Sequence, residues 1–271
     1  MEYPDNVKEL RSMLESCTMC PRDCRVDRYV GWHGEEPCLV GKSGSGTIFL
    51  SGCNLHCVYC QNYDISQCPT AGHEMDAEGM ARLALELQAQ GAANINYVTP
   101  THVSHIVAES ICLARSRGLS VPTVYNCGGY ESVHTLELLD GLIDIYMPDV
   151  KYSSADAAYK YSGCKGYPEV ARAALAEMYR QVGPLCFDLS GIVTKGVLVR
   201  HLVLPGDIGG SEQVVRMVSE VCPGAGINVM AQYRPAHNAY EHPELMAPIK
   251  ISEVRRLRRL ATELGLKRVD H

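Results

Sequence analysis

Six short apolar runs punctuate the chain: TIFLSG (47–52), NINYVT (94–99), PTVYN (122–126), IDIYMPD (143–149), VLVRHLVL (197–204) and INVMAQY (227–233). Their length and their content of Val, Ile, Thr and Tyr predict strands. Between them the apolar spacing widens to three or four residues. In DAEGMARLALELQAQG, Met80, Leu83, Ala84 and Leu87 share one face, Asp76 stands at the N-cap position, and Gly91 sits where a helix turns left-handed. Similar spacing predicts helices over 103–117, 131–140, 168–182, 211–222 and 251–264. In the last of these, Ile251, Val254, Leu257, Ala261 and Leu264 form an apolar stripe opposite the arginines, the pattern of a solvated outer helix. Strands alternating with helices predict right-handed βαβ units and a parallel sheet. That pattern suits an open doubly wound sheet or an incomplete (β/α) barrel, and either places its active site at the C-terminal strand ends.

Composition narrows the class. With 271 residues, 46% of them hydrophobic, the chain can bury one large core or two small ones. A net charge of -6 gives no general attraction to nucleic acid or to an anionic membrane, so neither is expected as a partner. The N-terminus is charged throughout, without the apolar core of a signal peptide, and no apolar run approaches the roughly 18 residues of a membrane span. A cytoplasmic protein is expected. Thirteen cysteines change the picture, because seven of them fall between Cys17 and Cys60 in two tight groups. In a chain without export features such clustering points to metal ligands rather than disulfides.

The second group, Cys53, Cys57 and Cys60, follows directly on the first predicted strand. Four thiolates around one metal make a closed structural site. An iron–sulfur cube has four iron corners, and three thiolates leave one corner open to an outside ligand. A zinc knuckle is the bland alternative, but zinc pairs usually read C-x2-C twice, and His56 is too close to Cys57 to turn back onto the same ion. Cys53-x3-Cys57-x2-Cys60, with Tyr59 before the last cysteine, resembles the signature of radical S-adenosylmethionine (SAM) enzymes. The segments CTMCPRDCRVDR, GKSGSGTIFLSGCNLHCVYCQN, NINYVTPTH, YNCGGYES, DIYMPDVKY, RHLVLPG and MAQYRPAH occur in this order over nearly the whole chain. Together they resemble the pyruvate formate-lyase activating enzyme-like group of that superfamily.

The resemblance implies a partial (β/α)6 barrel over 44–271, preceded by a cysteine-rich extension over 1–43. It implies a [4Fe–4S] cluster on Cys53, Cys57 and Cys60, and reductive cleavage of SAM to a 5′-deoxyadenosyl radical that abstracts a substrate hydrogen. An electron donor such as flavodoxin or ferredoxin would be a partner. The substrate expected is a small molecule or amino acid. The alternatives are a glycyl-radical enzyme, activated at a protein glycine, and a non-catalytic iron–sulfur carrier or sensor.

SAM-facing positions follow from the same likeness. Thr99 and Thr101 stand where most relatives carry Gly-Gly-Glu, so a backbone carbonyl and the Thr101 hydroxyl would accept the SAM amino N–H bonds. Asp149 and Lys151 end the fourth strand two residues apart and so point the same way. Arg200 offers a fork of donors for a carboxylate, Asn126 a ribose contact, and Tyr59 completes the cofactor set. Gln232, Tyr233 and Arg234, ending the sixth strand, are substrate candidates. His102, His105 and His201 are read as structural. Cys17, Cys20, Cys24 and Cys38 can supply a second site for zinc or an auxiliary cluster, or none; Cys38 follows a shortened segment.

Overall fold

The computed structural model describes residues 3–13, 19–21, 37–40, 44–68, 70 and 72–269. In chain order the elements are α1 (Asp5–Ser12), α2 (Pro37–Val40), β1 (Gly46–Phe49), α3 (Tyr63–Ser66), α4 (Ala77–Ala89), β2 (Ile95–Val98), α5 (Ser104–Ser116), β3 (Thr123–Cys127) and α6 (Val133–Leu138). They continue as β4 (Ile145–Pro148), α7 (Ala155–Ser162), α8 (Tyr167–Val182), β5 (Cys186–Phe187), β6 (Val193–Leu202), α9 (Ser211–Val221), β7 (Gly226–Met230), α10 (Ile251–Glu263) and β8 (Lys267–Arg268). All six predicted strands and all six predicted helices are present.

Strand order decides between the two architectures. β1, β2, β3, β4, β6, β7 and β8 lie side by side in chain order, and every one of these pairings is parallel. A doubly wound sheet would reverse its order at a switch point. Here every crossover helix returns to the same face, which curls the sheet into a partial (β/α)6 barrel. β1 and β8 are the two ends of the strand order, and β5 joins only as an antiparallel hairpin on β6.

The pleat sorts side chains into two layers. Ile48, Tyr97, Tyr125, Tyr146, Val199 and Val229 face outward into one continuous core with the helices. Val124, Ile145, Met147 and Leu198 face inward and pack on one another with Leu39 of α2. Asn94 Nδ2 donates to the Leu39 carbonyl (2.7 Å), fixing this plug at the N-terminal end of the barrel. The opposite end is left for chemistry.

Local signals account for the helices. Asp76 accepts from the Gly79 N–H (2.8 Å) as the N-cap of α4, and Gly91 beyond it takes φ +93°. The described part of the N-terminal extension has no core of its own. Val7 and Leu10 of α1 are fully buried in the barrel's outer core, and Asn6 Nδ2 donates to the Leu138 carbonyl (2.7 Å). Among the described residues no helix is long and apolar enough to cross a membrane.

Candidate active site

Parallel strands all end on the same side, so residues near the end of β3, just past β4 and within β6 meet. Arg200 Nε donates to Asp149 Oδ1 (2.8 Å), Lys151 Nζ donates to Asp149 Oδ2 (2.6 Å), and Arg200 Nη2 donates to Asn126 Oδ1 (2.7 Å). Burial alone would push the Asp149 carboxyl up, but Arg200 and Lys151 more than offset it and hold it at about 2. Burial would likewise lower the Lys151 ammonium; Asp149 and then Cys57 outweigh that and keep it protonated, above its ordinary range. Two cations against one carboxylate leave the cluster with a net charge of about +1, suited to an anionic partner.

The cysteine loop forms the facing wall. Cys53, Cys57 and Cys60 line the same cavity, of about 120 Å³, as Thr99, Asn126, Asp149, Lys151 and Arg200. The loop is tied to the end of α7, where His56 N donates to the Ser162 carbonyl (3.0 Å) and Val58 N to the Tyr161 carbonyl (2.9 Å). Each sulfur meets one short-range partner: the Leu55 N–H at Cys53 (3.4 Å), the Ser162 hydroxyl at Cys57 (2.9 Å) and the Ser66 hydroxyl at Cys60 (3.1 Å). Among the described residues no three His, Cys, Asp or Glu side chains gather on one ion position. Burial, then the neighbouring Cys57, pushes the Cys53 thiol up to about 12. Burial also raises Cys57, with Lys151 opposing it. Three cysteine sulfurs lining one cavity are the donor type that a thiolate-held metal cluster takes.

Two expected cofactor contacts are placed elsewhere. Thr99 lines the cavity, but its φ of +61° turns the chain and breaks the alternation that would bring Thr101 alongside. Thr101 is fully buried behind the wall and donates to Glu131 Oε1 (2.9 Å), so its hydroxyl is not a cavity acceptor. Tyr59 is likewise absent from the wall. Its hydroxyl pairs with that of Tyr152 (2.7 Å), and its ring packs edge-on against Tyr233. Tyr233 donates to the Leu245 carbonyl (2.8 Å), and Gln61 Nε2 donates to the Gln232 carbonyl (3.2 Å). These two, with the exposed Arg234, therefore sit beside the cysteine loop and outside the cavity. Cys17 and Cys24 lie outside the described residues. Cys20 is buried, and Cys38 packs against the barrel-floor cluster around Leu39.

Two residues that pattern analysis passes over complete the site. The Tyr167 hydroxyl accepts from the Lys151 N–H (2.9 Å) and shares its single proton between the carbonyls of Gly128 and Asp149 (2.9 Å each), clamping the β3 and β4 ends. Gly129 passes so close beneath, at φ +75°, that a Cβ there would stand 2.5 Å from the Asp149 carbonyl oxygen. Glu131 is a buried carboxyl behind the cavity that accepts from Thr101 and from the Tyr125 hydroxyl (3.1 Å). Burial raises it from 4.5 to about 7 against these hydrogen bonds.

The raised value has a stability consequence. Between pH 4.5 and 7 the folded carboxyl keeps a proton that the unfolded one loses. Its contribution is therefore full below 4.5 and disappears as pH rises through about 7. Denaturant unfolding of the wild type should show a loss on the order of 3 kcal/mol from this group between pH 5 and 8. Glu131→Gln should remove that slope; an identical slope in the variant would assign it to other groups.

Comparison with known proteins places this geometry. No family model matches the chain. It is similar to an uncharacterized protein of Methanocaldococcus jannaschii, MJ0674, with 26% identity over 283 residues covering 96% of this chain and 78% of the relative. Among solved structures, Streptococcus suis SuiB bound to S-adenosylmethionine aligns at TM-score 0.55 and 12% identity, over 81% of this chain and 48% of SuiB. SuiB bound to precursor peptide SuiA aligns at TM-score 0.52 and 11% identity, over 80% of this chain and 46% of SuiB. The chain spans about half the length of these solved chains. At such identities the likeness is one of fold, a parallel (β/α) sheet.

Proposed function

We propose that the chain is a radical SAM enzyme acting on a small-molecule or amino-acid substrate. The observation that carries the proposal is the confrontation, across one cavity at the C-terminal strand ends, of three thiols with the Asp149–Lys151–Arg200–Asn126 network. When bound at Cys53, Cys57 and Cys60, a [4Fe–4S] cluster would supply the electron that breaks the SAM sulfonium C–S bond and yields a 5′-deoxyadenosyl radical.

This chain's residues bind and orient. Arg200 and Lys151, fixed by Asp149, present donors and an uncompensated positive charge to the carboxylate of SAM. Asp149 offers its carboxylate to the amino or ribose groups, and Asn126 lies where the ribose would meet β3. In place of the expected Thr101 hydroxyl, backbone at the strained Thr99 turn would accept the amino N–H bonds. The apolar wall of Leu50, Leu55 and Val98 limits water. Gln232 and Arg234 would meet substrate or an incoming electron donor such as flavodoxin or ferredoxin at the exposed rim.

The test is anaerobic incubation of reconstituted, dithionite-reduced protein with SAM. Release of 5′-deoxyadenosine is expected, and stimulation by one fraction of a cell extract would lead to the substrate. A cluster-loaded protein that leaves SAM intact would instead fit an electron carrier.

A further inference from the structure

Cys57 differs from the other two cysteines in what lies behind it. Ser162, the last residue of α7, is fully buried and donates its hydroxyl proton to Cys57 Sγ (2.9 Å). The Ser162 oxygen is paired in turn with the buried Tyr152 hydroxyl (2.7 Å), and Tyr152 with the buried Tyr59 hydroxyl (2.7 Å). The same end of α7 accepts the His56 and Val58 N–H groups, so the serine is held in place by the backbone of the loop it serves. By contrast, Cys60 meets a hydroxyl from the half-buried Ser66.

A metal-bound sulfur carries no proton, which fixes the direction of the chain. Ser162 must donate to sulfur, Tyr152 to Ser162, and Tyr59 to Tyr152, because each hydroxyl has one proton. Aligned hydroxyls polarise one another, and the low dielectric around them strengthens the last bond. We propose that Ser162, backed by Tyr152, is a positioning residue that sets the reduction potential of the cluster through Cys57; this rests on the assignment of Cys57 as a ligand.

One-electron reduction adds negative charge that spreads onto the ligand sulfurs. An O–H dipole aimed at a sulfur favours the reduced state, so its removal makes reduction harder. The fold thus brings the tyrosine next to the last cysteine of the loop, Tyr59, into the tuning of a different cysteine.

Redox titration followed by EPR, with iron and sulfide counted, tests this on anaerobically reconstituted wild type, Ser162→Ala, Tyr152→Phe and the double variant. Ser162→Ala should hold the same cluster with its reduction equilibrium lowered about tenfold, a shift of about 59 mV to more negative potential for one electron. Tyr152→Phe should move the same way by less, and the double variant no further than Ser162→Ala. Should Ser162→Ala fail to fold, the direction of the Tyr152→Phe shift decides. Equal potentials in all four proteins, each with a full cluster, overturn the relay and leave the ligand assignment standing. A wild type that assembles no cluster overturns both.

Discussion

Cys57→Ala is expected to abolish 5′-deoxyadenosine formation from SAM, to the background of reductant alone. The sulfur is one of the three that the cysteine loop brings to the cavity, and two ligands would leave a second corner of the cluster exposed to solvent and loss. The variant also removes the sulfur that accepts the Ser162 hydroxyl proton. Cys164→Ala supplies the control. Cys164 is also buried in the apolar cluster that underlies the loop, but its thiol turns onto the Ala158 carbonyl (3.5 Å) and lines no part of the cavity. It should therefore keep both cluster and product, so loss in both variants would trace the effect to packing. Product formation by a folded Cys57→Ala protein would remove Cys57 from the ligand set.

Asp149→Ala is expected to cost more stability than any other single change in the polar network, about 3 kcal/mol, and to abolish SAM binding. Lys151 and Arg200 both point at this carboxylate, with side chains only 18% and 15% exposed. Removing the anion leaves two neighbouring cations partly desolvated, the costly way to break a buried pair. Lys151→Met in the same chain should restore part of the stability and none of the binding. The pH dependence follows from the depressed carboxyl. Its contribution is present above the ordinary value of 3.8 and is lost as pH falls towards about 2, roughly 2 kcal/mol in all. Equilibrium unfolding in denaturant, with SAM affinity measured in parallel, checks both parts. A variant as stable as the wild type would mean that the ion pairs are solvated and not structural.

Much of this site is legible in the sequence because parallel strands carry their order into space. In the barrel's strand order 122–126, 143–149 and 197–204 fall on neighbouring strands, which sets Asn126, Asp149 and Arg200 side by side, and the isolated bridge between Asp149 and Arg200 marks their shared level. Asp149 and Lys151 share a face through the two-residue period. The same rule misplaces Thr101, since a left-handed residue at Thr99 resets the alternation and no neighbour in sequence announces it. Tyr59 is misplaced for another reason: in an irregular loop, sequence says that a ring is near the cysteines but not which side buries it. Strand order, which separates barrel from doubly wound sheet, is a long-range property absent from local periodicity.

The omissions are equally specific. α7 carries its own start and stop, with Ser154 accepting from the Ala157 N–H (3.3 Å) and Gly163 at φ +61°. Two turns of Ala, Tyr and charged residues show too little apolar periodicity to stand out, and Ser162 is missed with them. Glu131 lies in a turn-like GGYES stretch, and its partners Thr101 and Tyr125 come from two other elements. Nothing short of the fold brings those three together.

The central claim is that three cysteines hold a cluster whose open corner takes SAM. EPR of anaerobically reconstituted, reduced protein titrated with SAM tests it most directly. A [4Fe–4S] signal that depends on Cys53, Cys57 and Cys60 and changes shape as SAM is added is the predicted result. Zinc bound at the three cysteines, or a cluster signal that SAM leaves unchanged, would contradict it.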